Sequence, residues 1–285
     1  MITRDSLIFI FSVLSALTLS VSGQSDDARW IEKSPVIEVP FLNHTPAIDG
    51  DLSEWKDYAH TDGVWDIFRI QQTSWYEPKR NRLTDHGNEP DIAADLSARY
   101  YIAWNEEYLF LGAEVKDNVN DVSESKHQPK RWYYKDAIAW FFEAPRDAFT
   151  ETFGDGNHAF AFVIDSLYPD YGAWWRYGTA DERYIEKPLP AAAATYQITF
   201  DPEGRGEADY ILEAKINMQA TFGKSDTAWQ NPSIGDVYSM MIVHCDPDGG
   251  EYGGHLLIYG KGDADDSWHQ MLLSPAKEPL FRKEK

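Results

Sequence analysis

Two sets of side chains in this sequence have the types and placement to do chemistry. The first is a series of short polar oxygen donors near turn-like positions: Asp49, Asp51, Asp117, Asn118, Asp121 and Asp136. Calcium gathers about six to eight oxygen ligands of this kind, and Asp49, Asp117 and Asp136 are the candidates to hold it. The competing reading is that turn aspartates are solvated and bond their own backbone. No spacing equals an EF-hand loop, and the eight histidines show no paired spacing, which argues against zinc. The second set is aromatic, with 11 Trp, 16 Tyr and 14 Phe. A ring at the surface can stack on the C–H face of a sugar while neighbouring polar groups bond its hydroxyl rim. Clustering singles out Trp132, Tyr133 and Tyr134, then Trp174 with Trp175, then Tyr259 and Trp268. The ordinary alternative for each is core packing.

Several chemistries are disfavoured. The sequence has no nucleophile elbow, no paired-His zinc helix, no phosphate-cradling glycine loop and no dinucleotide fingerprint. A carboxylate pair for glycoside hydrolysis stays open, because such a pair is defined by separation in space. With 47 acidic against 26 basic residues the net charge is -21, which repels nucleic acid and anionic lipid and favours neutral or cationic partners. Cys245 is the only cysteine, so the fold has no internal disulfide and rests on core packing, with a metal as the natural substitute staple. Residues 1–23, with Arg4 ahead of an apolar run and small residues at the end, read as a signal peptide. The run is short of the ~20 residues a spanning helix needs, and no second hydrophobic segment follows. The expectation is a secreted or periplasmic protein with no membrane span.

The elements that must position these groups read as strands. Arg99 to Asn118 alternates apolar and polar residues on both sides of Asn105-Glu106-Glu107, as a hairpin requires; Leu109, Leu111, Ala113 and Val115 share one face. Asp136 to Glu143 and His158 to Ile164 are apolar nearly throughout, the pattern of strands covered on both faces. Ala191 to Phe200 and Ala208 to Ile216 pair around Asp201 to Glu207, with Glu213 and Lys215 facing out. Val36 to Val39, Tyr171 to Tyr177, Val237 to His244, His255 to Tyr259 and Trp268 to Leu273 complete the set, and Leu52 to Tyr58 forms one helical turn that buries Trp55. Gly63 to Leu96 is the least regular stretch, a candidate functional loop. The expectation is an all-β protein, a β-sandwich or jelly roll of about ten strands with long loops, occupying residues 35–273 between a flexible leader, 24–34, and a charged tail, 274–285.

Three segments in order, IDGDLSEW (Ile48 to Trp55), AWNEEYLFLGAEVKD (Ala103 to Asp117) and YYKDAIAWFFEAPRD (Tyr133 to Asp147), resemble the family 9 carbohydrate-binding module. ADYILEAKI (Ala208 to Ile216), Gly235-Asp236-Val237 and the strand ending at Asp246 extend the likeness. The resemblance implies a β-sandwich that binds sugars and carries structural calcium. It also implies a sugar clasped between two aromatics, matched here by Tyr133 and Tyr259. The sequence departs from that pattern at Ala139, where sugar-binding members carry an acid, and at Ala161, where they carry an arginine. The resulting expectation is a non-catalytic polysaccharide-binding protein with Trp132, Tyr133, Trp175 and Tyr259 at its site. A secreted polysaccharide hydrolase or lyase is the alternative. Since related sandwiches bind b-type haem, a third reading is an electron-transfer module with Met240 or Met241 and His244 or His255 on the iron.

Overall fold

The computed structural model describes residues 35–64, 74–76, 96–117, 127–146, 153–164, 172–201, 206–226, 228–247, 255–260 and 264–277. The segment 1–23, Asn118, Asp121, most of the Gly63 to Leu96 stretch and the end of the tail lie outside them.

Among the described residues fourteen strands form two sheets. The smaller contains β2 (His60–Val64), β4 (Leu96–Trp104), β5 (Tyr108–Asp117), β10 (Ala194–Phe200) and β11 (Tyr210–Asn217) in the order β10-β11-β5-β4-β2. The larger follows β1 (Val36–Pro40), β14 (His269–Ser274), β12 (Val237–Cys245), β6 (Ala137–Glu143), β7 (Asn157–Val163), β8 (Ala173–Tyr177) and β9 (Ile185–Pro188). β13 (His255–Ile258) shares with β14 one edge of β12 and carries β3 (Ser74–Tyr76) outside it. Every pairing is antiparallel except β1 with β14. The expected sandwich is present with more strands than the sequence resolved.

The β4–β5 hairpin turns at the expected residues, with Asn105 closing it through hydrogen bonds from the Glu107 and Tyr108 amides to Oδ1. Leu109, Leu111, Ala113 and Val115 are fully buried between the sheets, as period two dictates, and meet Ile138, Trp140 and Phe142 of β6 in one core. β6 and β7 lie in the middle of their sheet and are buried on both faces. One element escaped the strand pattern. α1 (Met218–Ser225) begins where Asn217 Oδ1 accepts a hydrogen bond from the Ala220 amide at 2.8 Å, and it turns Met218 and Phe222 into the core.

The outer face of the small sheet is covered by the chain itself. Residues 41–59 fold over it in two short 3₁₀ turns, and Leu42, Leu52 and Trp55 pack on Tyr101, Ala103 and Phe110. Gly112 makes this close approach feasible, since a Cβ there would lie 2.9 Å from Leu52 and 3.2 Å from Trp55. Glu213, expected to face out, does so and is nonetheless buried: its carboxylate accepts from the Trp55 indole at 2.8 Å and from the Asp49 and Gly50 amides at 2.9 Å each. Gly50 reaches this position with φ +87, which a glycine adopts without strain.

Candidate functional site

The outer face of the large sheet is built differently. Its floor comes from the second face of β6, β7 and β12: Ala137, Ala139 and Phe141, Ala159, Ala161 and Val163, Met241, Val243 and Cys245. Ala139 and Ala161 face each other in register. These small side chains leave depth, and larger groups from neighbouring segments fill it. Trp132 and Tyr133, on the 3₁₀ turn before β6, meet edge to face at 5.4 Å, and Tyr133 and Trp174 are half-buried where they border the floor. β8 alternates across the sheet, so Trp174 and Arg176 point outward while Trp175 points into the core.

Arg176 is the polar centre of this face. Its guanidinium lies 5.3 Å from the Trp132 ring and 5.7 Å from Tyr133, with Phe153 at 5.9 Å and Tyr184 at 5.8 Å around it. Cation–π contact suits a planar, weakly hydrated guanidinium. Glu186, its partner across β8 and β9, pairs with it at 3.3 Å and also accepts the Trp132 indole N–H at 3.0 Å. The pair is neither sealed nor fully solvated, with side-chain exposures of 12% and 21%. Together these groups offer aromatic surface, a fork of donors and a carboxylate on one face.

The carboxylates gather at one end of the sandwich. Asp117 closes β5 in the small sheet; Asp136 and Asp246 flank the rung where Ala137 of β6 meets Cys245 of β12 in the large one. Oxygens of all three lie within 4.8 Å of one another, and Asp136 and Asp246 are 1% and 2% exposed. Like charges this close in a dry setting repel, and buried carboxylates are normally paired or on a metal. The donor set is all oxygen, which fits a hard cation such as calcium and not a soft one. Two of the three sequence candidates, Asp117 and Asp136, meet here. Asp49 does not join them; it is exposed, and its Oδ1 accepts from the Asp51 amide in a local turn. Asp246 was the missing member.

The sequence matches the family described as carbohydrate family 9 binding domain-like over residues 61–271. The chain belongs to this family. Among solved structures it is similar to a candidate carbohydrate-binding protein from Bacteroides uniformis, with 11% identity, a TM-score of 0.54, and coverage of 85% of this chain and 100% of that one. It is also similar to a family 9 carbohydrate-binding module from Caldicellulosiruptor kristjanssonii. In complex with cellotriose that module gives 13% identity, 88% and 99% coverage and a TM-score of 0.47. In complex with glucose it gives 14%, 86% and 98%, and 0.48. No curated protein matches the sequence.

Within this family 9 domain the four aromatics singled out from sequence separate. Trp132 and Tyr133 stand together on the outer face, although Trp132 itself is only 3% exposed. Trp175 is 2% exposed and belongs to the core, its indole donating to His158 Nδ1 at 3.0 Å. Tyr259 follows β13 with φ +69, a left-handed value that takes its side chain off the strand's alternation. Its hydroxyl donates to Asp62 Oδ2 at 2.8 Å and meets His60 Nε2 at 3.0 Å, both on β2 of the small sheet. Trp132 and Tyr133 are thus together, and Trp175 and Tyr259 serve elsewhere. The side chains proposed for iron are committed too. His244 is buried between the Tyr100 hydroxyl at 2.6 Å and the Tyr210 hydroxyl at 3.1 Å, while Met240 and Met241 face opposite sides of β12.

Sequence reasoning passed over Arg176 and Glu186. Trp174, Arg176 and the intervening Trp175 carry the period-two signal that places an arginine among aromatics, but the pairing with Glu186 depends on β9. Arg176 on β8 and Glu186 on β9 lie on strands nearer the sheet edge than Ala139 and Ala161.

Proposed function

We propose that this domain is a secreted, non-catalytic polysaccharide-binding module whose ligand lies against the outer face of the large sheet, on Tyr133 and Trp174. Arg176 and Glu186 bond its hydroxyls there. The observation that carries this reading is the grouping of half-buried aromatics with an incompletely sealed Arg–Glu pair on one face. Family membership supplies the ligand class. Titration calorimetry against a panel of neutral oligosaccharides should show micromolar to millimolar binding, weakened at least tenfold, about 1.4 kcal/mol, by Tyr133→Ala. A flat response to the whole panel would overturn the proposal, and new reducing ends or unsaturated products in the same mixtures would mark a hydrolase or lyase instead.

Calcium is proposed as a structural cation held by Asp117, Asp136 and Asp246. Its chemistry there is charge neutralisation: one divalent ion would offset repulsion among three carboxylates and tie β5 of one sheet to β6 and β12 of the other. Export rests on residues 1–23, and the absence of any long apolar helix among the described residues is compatible with it.

A further inference from the structure

At the other end of the sandwich lies a groove of about 380 Å³. It is lined by Pro145 just past β6, by the loop residues Trp229, Gln230, Asn231, Ser233 and Asp236, and by Val237 and Tyr238 at the start of β12. This volume is within the range of small-molecule pockets. β12 spans nine residues between this groove and the carboxylate cluster, a separation on the order of 30 Å at the usual rise. β6 runs antiparallel to β12, so Tyr133 lies near the carboxylate end and Pro145 near the groove. The groove is therefore separate from the face already described.

Its walls carry a definite chemistry. Trp229 is half-buried, packed on the core and held by α1: a Cβ on Gly223 would come within 2.9 Å of the indole ring. Tyr238 is 3% exposed. The buried indole N–H of Trp229 and the buried hydroxyl of Tyr238 lie within hydrogen-bonding reach of each other beneath the groove, which leaves the face of the half-buried indole ring as its aromatic wall. Around them stand the exposed amides of Gln230 and Asn231. One carboxylate is present, Asp236, and its Oδ2 accepts from the Ser233 amide at 2.8 Å. Among the described residues no lysine or arginine lines the groove, so its described walls hold no fixed cation to recruit an anion. Rigid aromatic surface with neutral donors and acceptors suits a neutral, polyhydroxylated ligand.

We propose that this groove is a second saccharide subsite, in which the Trp229 ring supplies the stacking surface and the Gln230 and Asn231 amides bond sugar hydroxyls. The ligand class rests on the glycan-binding reading above; the location does not. Two sites a strand length apart make the domain bivalent, so that a long or branched polysaccharide is held at two places and gains avidity.

The test is a titration of the isotope-labelled full chain with the same neutral oligosaccharide panel, following indole N–H resonances by NMR. The Trp229 signal is assigned by its disappearance in Trp229→Phe. The expected result is a saturable shift of the Trp229 signal that persists in Tyr133→Ala and weakens several-fold in Asn231→Ala, whose exposed side chain can be removed without disturbing the fold. Calorimetry should show a stoichiometry near two, falling to near one in Trp229→Phe. A Trp229 signal silent against every sugar overturns the second subsite, whatever Trp132 does. Movement of Trp229 with Trp132 silent overturns the outer-face reading and leaves the second subsite standing.

Discussion

The two sheets have the same inner business and opposite outer ones. The small sheet's outer face is closed by residues 41–59, which bring Trp55 onto Gly112 and a full set of donors onto Glu213. The large sheet's outer face has small residues at its centre; Trp132 is buried over them, while Tyr133, Trp174 and the Arg176–Glu186 pair keep part of their surface and charge in reach of solvent. A buried acid with three donors is a structural device. An arginine ringed by aromatics with a partly exposed acid is equipped to exchange contacts with a ligand. The difference shows that residue type alone does not mark a candidate site: Trp55 with Glu213 and Trp132 with Glu186 are the same chemical pair with a buried indole in each, and what distinguishes them is that Glu213 is sealed and Glu186 is not.

This contrast can be broken by mutation. Removing Trp55 should cost the most, since Trp55→Ala empties a fully buried site and leaves Glu213 short of a donor: a loss of about 3–5 kcal/mol in chemical denaturation is expected, with glycan affinity unchanged in the fraction that stays folded. Loss of affinity at unchanged stability would reverse the assignment of the two faces. The carboxylate end comes next. Calcium at a hundredfold excess over its dissociation constant should add about 2.7 kcal/mol to unfolding, seen as a melting temperature that falls with chelator and returns with calcium. Asp136→Asn should abolish that difference. On the large sheet's outer face, Arg176→Lys keeps the charge and loses the planar stacking on Trp132 and Tyr133, so a fall of about tenfold in glycan affinity, near 1.4 kcal/mol, is expected by calorimetry. Unaltered binding would remove Arg176 from the site.

Mild acid acts more gently, through two groups on the two faces, Glu213 and His255, whose titrations have opposite sign. Burial raises the Glu213 carboxyl above its ordinary value, so the folded state holds this proton more tightly than the unfolded one and gains stability as pH falls. Burial lowers His255, whose Nε2 lies 3.3 Å from the Tyr133 carbonyl, to about 4. The unfolded state then binds that proton first, and stability is lost as pH falls from about 6.5 towards 4. His158 and His244, each lowered to about 3 by burial, add to the global loss without favouring either face. Hydrogen exchange at pH 7 and pH 5.5 should show β13 losing protection before β11.

Much of the fold was legible because period two is a local signal. The β4–β5 hairpin, the central strands β6 and β7 and the inward set on β11 follow directly from which residues alternate. The site was legible only in its local part. Trp132 and Tyr133 are neighbours in sequence and stay neighbours; Asp117 and Asp136 lie at recognisable strand ends. Asp246 joins them through the register of β12 on β6, and Glu186 reaches Arg176 through β9, relations that no short window contains. Trp175 and Tyr259 are placed away from Trp132 and Tyr133 for reasons a short window does not show. Trp175 is turned to the core by strand alternation, and Tyr259 is swung towards the opposite sheet by a left-handed backbone.

The parallel pairing of β1 with β14 has a mechanical meaning. Val36 lies beside Gln270 and Pro40 beside Ser274, so the chain enters the pair at one end and leaves it at the other. A pull applied to residues before β1 and after β14 runs along both strands in opposite directions. It loads their ladder in shear, with the bonds sharing the force, whereas an antiparallel pair held at adjacent ends opens one rung at a time. The seam that joins the two ends of the domain is thus oriented to bear tension along the chain.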